Sequence, residues 1–339
     1  MGSEFGARWR GRRVLVTGAD GFIGSHLTEA LLARGAHVTA LAAYDARDSY
    51  RWLDDIEPSA LLARRRGNIC DARQMRDLTD GHHCVFHLAA LIGIPYSYEA
   101  TTSYVQTNVQ GTVNVLDAAR DAGVERVVHV SSSEVYGSAQ REPMDEEHPL
   151  VAQSPYAATK IAAEALAVSY ARSLELPVTV VRPFNTFGPR QSERAFIASV
   201  VRQCLDPRRE TVSAGDLSPR RDYLYVSDTV EALLAASDVD SEELEIYNAG
   251  SGVAVTMEAI AQLILRASGC EKPIALDARR VRPARSEVRA LVANAHRLRE
   301  ATGWQPTVTL ERGIEHAVDW WRARPIETHA PSDAGEYFV

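Results

Sequence analysis

Residues 14–24 read Val-Leu-Val-Thr-Gly-Ala-Asp-Gly-Phe-Ile-Gly. A β-branched run, Val14 to Thr17, stops at a glycine-rich turn, and Ile23, Leu27, Ala30 and Leu31 then recur at helical spacing until Gly35. That is a strand, a tight turn and a helix. The three glycines have separate tasks. Gly18 permits the turn, Gly21 lets a pyrophosphate approach the backbone, and Gly24 lets the helix pack on the strand. The helix N-terminus offers free N–H groups and the positive end of its dipole to phosphate. Placed at the first strand–helix junction, the turn predicts dinucleotide binding through Gly18, Asp20, Gly21, Phe22, Ile23 and Gly24.

The rhythm continues outward. His37–Leu41, Cys84–Ala89, Arg126–Ser131 and Pro177–Arg182 read as strands, and 105–122 and Tyr156–Leu174 as long helices. Alternation of this kind predicts βαβ units: an α/β, Rossmann-type, doubly wound parallel sheet. After Pro183 shorter helices are interrupted by Pro189, Pro207 and Pro219, with short strand candidates at Tyr223–Val226, Glu245–Asn248 and Pro273–Leu276. This predicts a dinucleotide-binding domain over residues 12–183, plus later interleaved segments, and a smaller C-terminal substrate-binding lobe over 184–325. The opening Met1-Gly2-Ser3-Glu4-Phe5 reads as an expression-vector scar and is set aside.

Bulk properties narrow the class. The 339 residues carry a net charge of −8 and are 45% hydrophobic, ordinary for a globular enzyme and unlike a nucleic-acid or membrane-surface binder. Cys70, Cys84, Cys204 and Cys270 are widely spaced, with no CxxC pair. They read as reduced thiols of a cytoplasmic protein rather than metal ligands or disulfides.

An acidic residue about twenty positions beyond the turn ordinarily holds the adenosine ribose of NAD. The second strand ends instead in Leu41-Ala42-Ala43. Asp45 lies slightly further on and either serves or is a solvated loop charge, while Arg47 is placed to receive a 2′-phosphate. NAD is the preferred reading, with NADP left open.

Tyr156 and Lys160, four apart, share one helix face. An ammonium beside a phenol favours the phenolate and predicts a general base. Upstream, Ser131-Ser132-Ser133-Glu134-Val135-Tyr136-Gly137 follows a strand that ends at the ligand-binding edge of the sheet. Ser132 is placed to bond a substrate hydroxyl alongside Tyr156, and Glu134 to move a proton at carbon.

Together these residues resemble the extended short-chain dehydrogenase/reductases of the NAD-dependent epimerase/dehydratase family. The likeness rests on TGADGFIG (17–24), HLAA (87–90), TNVQGT (107–112), SSSEVYG (131–137), SPYAATK (154–160), RPFNTFGPRQS (182–192) and SPRRDYLYVSD (218–228), in that order. Within the family, LAALIGIPYSY (88–98) and RPFNTFGPRQSERA (182–195) are most similar to bacterial N-acetylglucosamine nucleotide 4,6-dehydratases of the legionaminic acid type.

The resemblance implies a nucleotide-diphosphate sugar as substrate and a homodimer built on the two long helices. It implies that Tyr156 takes the sugar 4-hydroxyl proton, that Lys160 holds the nicotinamide ribose, and that Ser132 orients the hydroxyl. Glu134 would act at sugar C5. Ser133 stands where related dehydratases carry an aspartate acid, which leaves open how the 6-hydroxyl is protonated. Asn68, Ile69, Leu88, Ala89, Ala90, Asn108 and Pro183 fall in cofactor-lining segments, and Asn185, Arg190, Arg221, Arg282 and Glu287 in segments that bind the substrate's nucleotide diphosphate. The activity this implies is 4,6-dehydration. Decarboxylation of UDP-glucuronate and 4-epimerisation are alternatives on the same scaffold, and a non-catalytic dinucleotide-sensing module is a distant third.

Overall fold

A computed structural model describes residues 7–239, 244–280 and 288–324. Strands β1 (Arg13–Thr17), β2 (His37–Ala42), β3 (Leu62–Arg66), β4 (Cys84–His87), β5 (Arg126–Val130) and β6 (Val178–Pro183) join Glu245–Ala249 in one sheet. Its seven strands run β3-β2-β1-β4-β5-β6 and then Glu245–Ala249, every pairing parallel. This is the doubly wound, Rossmann-type α/β architecture expected, with its order reversal between β1 and β4.

Period-two alternation distributes side chains to the two faces. Val14 and Val16 of β1 enter one apolar cluster and Leu15 the other. In the same way Phe86 and Val128 face one side, Val85 and Val127 the other. Both faces are covered by helices, which is why these strands read as continuous apolar runs.

Three details differ from the sequence reading. Leu62–Arg66 was not expected as a strand. Its Leu-Ala-Arg-Arg-Arg composition is tolerated because β3 is the sheet edge, where charge is unexceptional and discourages edge-to-edge pairing. Glu245–Ala249 belongs to the main sheet beside β6, returning late in the chain as an interleaved segment. The helix expected over 105–122 begins at Thr101 and runs to Asp121, and Val105–Gln110 within it has π-helical pairing.

After β6 a second assembly forms around Arg220–Tyr225, which pairs with Asn185–Phe187, Ala254–Thr256 and Ala290–Leu291. Val212–Ala214 pairs separately with Ile274–Leu276. Helices Phe196–Leu205, Met257–Ser268 and Leu310–Arg322 close a third core around Phe187, Val201, Ile260, Ile264 and Val318. Arg282, Glu287 and the opening Met1–Phe5 lie outside the described residues. Among the described residues, no helix is long and apolar enough to cross a membrane.

Candidate active site

The glycine turn fits a dinucleotide on steric grounds. Gly18 has φ +68°, and a Cβ there would sit 2.8 Å from the Ala89 backbone nitrogen. A Cβ at Gly24 would lie 2.2 Å from the Gly18 carbonyl oxygen, so only glycine lets the helix approach the strand this closely. The helix Phe22–Ala33 starts at Gly21 with no side-chain cap and no acidic residue in its first turn. Its first N–H groups therefore face outward with a positive dipole end, as an anion requires.

At the far end of β2, Ala42 is buried and offers no ribose acceptor, whereas Asp45 is present in the loop beyond. Hydrogen bonds from Arg47, first from its side chain and then from its backbone, hold the Asp45 carboxyl down to about 2. Arg51 approaches Asp45 at 3.9 Å and Asp20 at 3.7 Å. Arg66 donates to the Asp45 backbone oxygen at 2.8 Å and pairs with Asp48 at 2.8 Å. Each of these arginines is thus engaged by a carboxylate or a carbonyl.

Asn68 is exposed, and its side-chain oxygen accepts from the Cys70 N–H at 2.9 Å. Ile69 is buried against the 101–121 helix, where a Cβ on Gly111 would meet its side chain at 2.5 Å.

The loop Leu88–Leu91 is tied down by groups that pattern reading did not single out. Thr17 Oγ1 accepts from the N–H groups of Leu88 and Ala89, both at 3.2 Å, so its own proton goes to His87 Nδ1 at 2.8 Å. His87 Nε2–H then donates to Thr112 Oγ1 at 3.0 Å, and Thr112 donates to the Asn108 carbonyl at 2.6 Å. This network assigns the tautomer, and it agrees with burial pushing His87 down to about 3, with the Lys160 charge adding to the effect. Asn108 accepts from Leu91 N at 2.8 Å and donates to Leu91 O at 2.9 Å and to Thr159 Oγ1 at 3.0 Å. It therefore braces the loop against the Tyr156 helix from within the π-helical segment, a distortion frequent at functional sites.

That helix, Pro155–Leu174, is capped by Ser154, whose side chain accepts from the Ala157 N–H, and carries proline at its first position. The cap sets Tyr156 in the first turn. Ser132 hydrogen-bonds the Tyr156 phenol, and the Glu134 carboxylate acts on the same phenol electrostatically, so these three expected residues come together. Tyr104 packs edge-on against the Tyr156 ring at 6.4 Å.

One expectation changes here. Burial pushes the Tyr156 phenol up to about 12; Ser132 opposes this, and Glu134 and Tyr104 reinforce it. The Lys160 ammonium, expected to lower it, donates to the Val130 backbone oxygen at 2.7 Å. Burial holds Lys160 itself down to about 8, with Glu164 pulling the other way.

Ser133 is buried at the start of the short helix Ser133–Tyr136. Pro183 ends β6 opposite Ala249. Asn185 opens the adjoining strand with its side-chain oxygen buried and without a hydrogen-bond partner among the described residues, and its register partner Tyr223 lies two residues beyond Arg221. Arg221 is 5% exposed and donates to the Arg220 carbonyl at 3.0 Å. Arg190 is occupied: its guanidinium makes two 2.8 Å bonds to Glu29 of the pyrophosphate-facing helix. In this arrangement it braces one assembly on the other.

A parallel seven-stranded sheet, a glycine turn shaped for pyrophosphate, and a serine, glutamate and tyrosine at the strand ends define a dinucleotide-binding enzyme scaffold. A sequence profile described as GDP-mannose 4,6 dehydratase matches residues 15–317. The chain belongs to the NAD-dependent epimerase/dehydratase family of extended short-chain dehydrogenase/reductases.

It is 35% identical over 315 residues to a UDP-glucose 4-epimerase of Mycolicibacterium smegmatis, covering 91% of this chain and 98% of that one. It is 32% identical over 341 residues to a dTDP-glucose 4,6-dehydratase of Streptomyces niveus, covering 95% and 99%. Among solved structures it superposes on MoeE5 in complex with UDP-glucuronic acid and NAD with a TM-score of 0.81 and 33% identity, covering 91% and 99%. Similarity of the same order thus extends to relatives with different reactions.

Proposed function

We propose that the protein is a nucleotide-sugar 4,6-dehydratase that uses NAD and makes a 4-keto-6-deoxy sugar. The feature that carries this reading is the Glu134 carboxylate acting electrostatically on the buried Tyr156 phenol, to which Ser132 hydrogen-bonds. Epimerisation at C4 needs a base for one hydroxyl and no proton transfer at carbon. Dehydration needs a second acid–base group next to the first.

NAD, when bound, would supply a hydride acceptor for C4 and a hydride donor for C6. Gly18–Gly24 and the first turn of the helix would hold its pyrophosphate and Asp45 its adenosine ribose, with Leu88–Ala90, braced by Asn108, towards its nicotinamide. Tyr156, oriented by Ser132, removes the 4-hydroxyl proton. The resulting 4-keto group acidifies the C5 hydrogen, which Glu134 takes. Glu134 passes this proton to the 6-hydroxyl, which leaves as water. Hydride addition at C6 is then matched by a solvent-derived proton that Glu134 delivers to C5, and Tyr156 returns its proton to solvent. Ser133, buried in its short helix, is given no acid role. Asn185, through its amide NH2, and Arg221 hold the diphosphate.

The engaged arginines around Asp45 support NAD over NADP, since none of them offers a free guanidinium to a 2′-phosphate. Val105 and Leu174, at 47% and 43% exposure, lie on the two long helices and support a homodimer packed along them. The protein is proposed to work in the cytoplasm.

Mass spectrometry after incubation with UDP-N-acetylglucosamine, its GDP counterpart, GDP-mannose and UDP-glucuronate tests the reaction. A product lighter by one water is expected. Loss of carbon dioxide from UDP-glucuronate alone would make the enzyme a decarboxylase, and an isobaric product of different retention an epimerase.

A further inference from the structure

Three of the five tryptophans, Trp52, Trp320 and Trp321, meet at a place that the proposed chemistry does not use. The rings of Trp52 and Trp320 lie edge-on with centres 5.5 Å apart, and those of Trp320 and Trp321 4.8 Å apart. The Arg324 guanidinium stands 3.6 Å from the centre of the Trp320 ring and 5.9 Å from that of Trp52. Its Nη2 donates to the Asp55 carboxylate at 3.3 Å. Each contact is modest alone, but all of them join the same two stretches of chain, 269 residues apart at Asp55 and Arg324.

Trp320 and Arg324 belong to the second assembly, one on the helix Leu310–Arg322 and the other just beyond it. Trp52 and Asp55 belong to the segment that leaves β2, residues 43–56. That segment doubles back onto the glycine turn. Arg51, next to Trp52, brings its Nε to 3.7 Å from Asp20 inside the turn and 3.9 Å from Asp45. Leu53 and Ile56 are buried in the apolar cluster that also takes in Leu27 and Leu31 of the pyrophosphate-facing helix.

The segment needs outside support to keep this shape. Asp48 and Arg51 have φ of +61° and +52°, a conformation that is costly for residues with a Cβ and persists only where the surroundings fix it. Arg66 fixes the first stretch, pairing with Asp48 at 2.8 Å and stacking over Tyr50 at 4.4 Å. Around Arg51 the support comes from Asp20 and Asp45 on one side and, through Trp52, from the second assembly on the other. In a sheet of this topology the adenosine half of a dinucleotide lies beyond the end of β2, beside the glycine turn. The segment closes one side of that place.

We infer that Trp320 and Arg324 are positioning residues that latch segment 43–56 against the glycine turn, so that release of NAD requires the latch to open. Neither residue belongs to the glycine turn or to the strand ends that carry Ser132, Glu134 and Tyr156. In the proposed reaction NAD is regenerated at each turnover, so a slow exit does not limit the rate.

The inference rests on the proposed seating of NAD at Gly18–Gly24, and its test reads cofactor release rather than activity. The full-length protein is loaded with NADH and chased with excess NAD⁺, and the decay of bound NADH fluorescence gives koff. Mixing NADH with the unloaded protein gives kon. Wild type is compared with Trp320→Leu, Arg324→Gln, Arg202→Met and Gly21→Ala. Arg202 lies 4.9 Å from the centre of the Trp321 ring, which is buried in the third core, so Arg202→Met loosens the same helix without touching the latch. A Cβ at Gly21 would lie 3.2 Å from the Gly18 carbonyl, so alanine fits the turn but crowds a pyrophosphate.

In Trp320→Leu koff is expected to rise ~10-fold, the size of losing an aromatic pair together with a cation–π contact, with kon unchanged. In Arg324→Gln it should rise ~3-fold, as for one exposed cation–π contact. Arg202→Met should release NADH at the wild-type rate. A purely structural role would lower the melting temperature of all three variants without this pattern in koff. Unchanged koff in folded Trp320→Leu and Arg324→Gln would overturn the latch, as would an equal rise in Arg202→Met. Should Trp320→Leu not fold, Arg324→Gln, a change at a partly exposed side chain, decides in the same way. Gly21→Ala separates the two readings. If it weakens NADH while the latch variants behave as wild type, the seating stands and the latch falls; if its Kd is unchanged, the seating falls and the latch with it.

Discussion

Lys160 donates its ammonium proton to the backbone oxygen of Val130 at 2.7 Å, and so ties the Tyr156 helix to the end of β5. Strand β5 leads directly into Ser131–Glu134. The base and the groups that work beside it are therefore registered to each other through one buried lysine.

Tyr156→Phe removes the proton acceptor and leaves the ring packing against Tyr104 intact. The expected result is a ~10²–10⁴-fold loss of kcat, with the nucleotide-sugar Kd close to its starting value. Single-turnover kinetics and calorimetry on the same preparation check it. Weakened binding with kcat unchanged would remove Tyr156 from the chemistry.

Lys160→Met should change the dependence of stability on pH in a defined direction. Burial lowers the folded value of Lys160 from 10.5 to about 8. Below the folded value the lysine is charged in both states, and the cost of burying that charge is fully present. As pH climbs from about 8 to 10.5 the unfolded chain binds more protons than the folded one, so wild type gains stability relative to the variant. The gain across the window is ~3 kcal/mol. Urea unfolding of both proteins at intervals through that window measures it; a constant difference would mean Lys160 titrates normally.

Asn108→Ala deletes three bonds, leaving Leu91 N and Leu91 O without their side-chain partner and Thr159 without a donor. A cost of ~1–3 kcal/mol in unfolding free energy is expected. NAD affinity should fall with it, because the 88–91 loop loses its brace. Thermal melts with and without NAD separate the two effects: the NAD-induced shift in Tm should shrink along with the starting Tm.

Asp45→Ala releases Arg47 from the carboxylate that now holds it at 3.0 Å. The preference for NAD over NADP should narrow several-fold, read as the ratio of the two Kd values by fluorescence titration. A ratio that stays put would place the ribose contact elsewhere, with Asp20, which shares Arg51 with Asp45, the next to test.

The sheet was legible because each central strand is buried on both faces and so appears as an apolar run ending in a turn. Leu62–Arg66 was not, because an edge strand of arginines carries no such signal. The glycine turn was readable from short-range spacing, and Ser132, Glu134 and Tyr156 from a strand end at the ligand-binding edge of the sheet and the resemblance of their motifs. Lys160 was found by the same spacing, but its actual partner was not, since a backbone oxygen thirty residues earlier leaves no trace in sequence.

Nor could spacing reveal that Glu29 occupies Arg190, or that Ser131, Tyr136, Glu164, Arg182 and Asn248 meet. These residues are scattered over more than a hundred positions and become neighbours only when the sheet assembles. A signal did exist: Glu164 is a carboxylate on an otherwise alanine-rich helix face, and Arg182 a charge inside an apolar strand. Each is costly to bury unless paired.

The central claim is that Glu134 exchanges a proton with sugar C5. Running the reaction in D2O and locating deuterium in the product by NMR tests it directly. The expected result is a product lighter by one water with solvent deuterium at C5, where the proton is delivered, and no such product from Glu134→Gln although its Tyr156 still takes the 4-hydroxyl proton. Turnover by Glu134→Gln at the wild-type rate, or a product that takes no solvent deuterium at carbon, would contradict it.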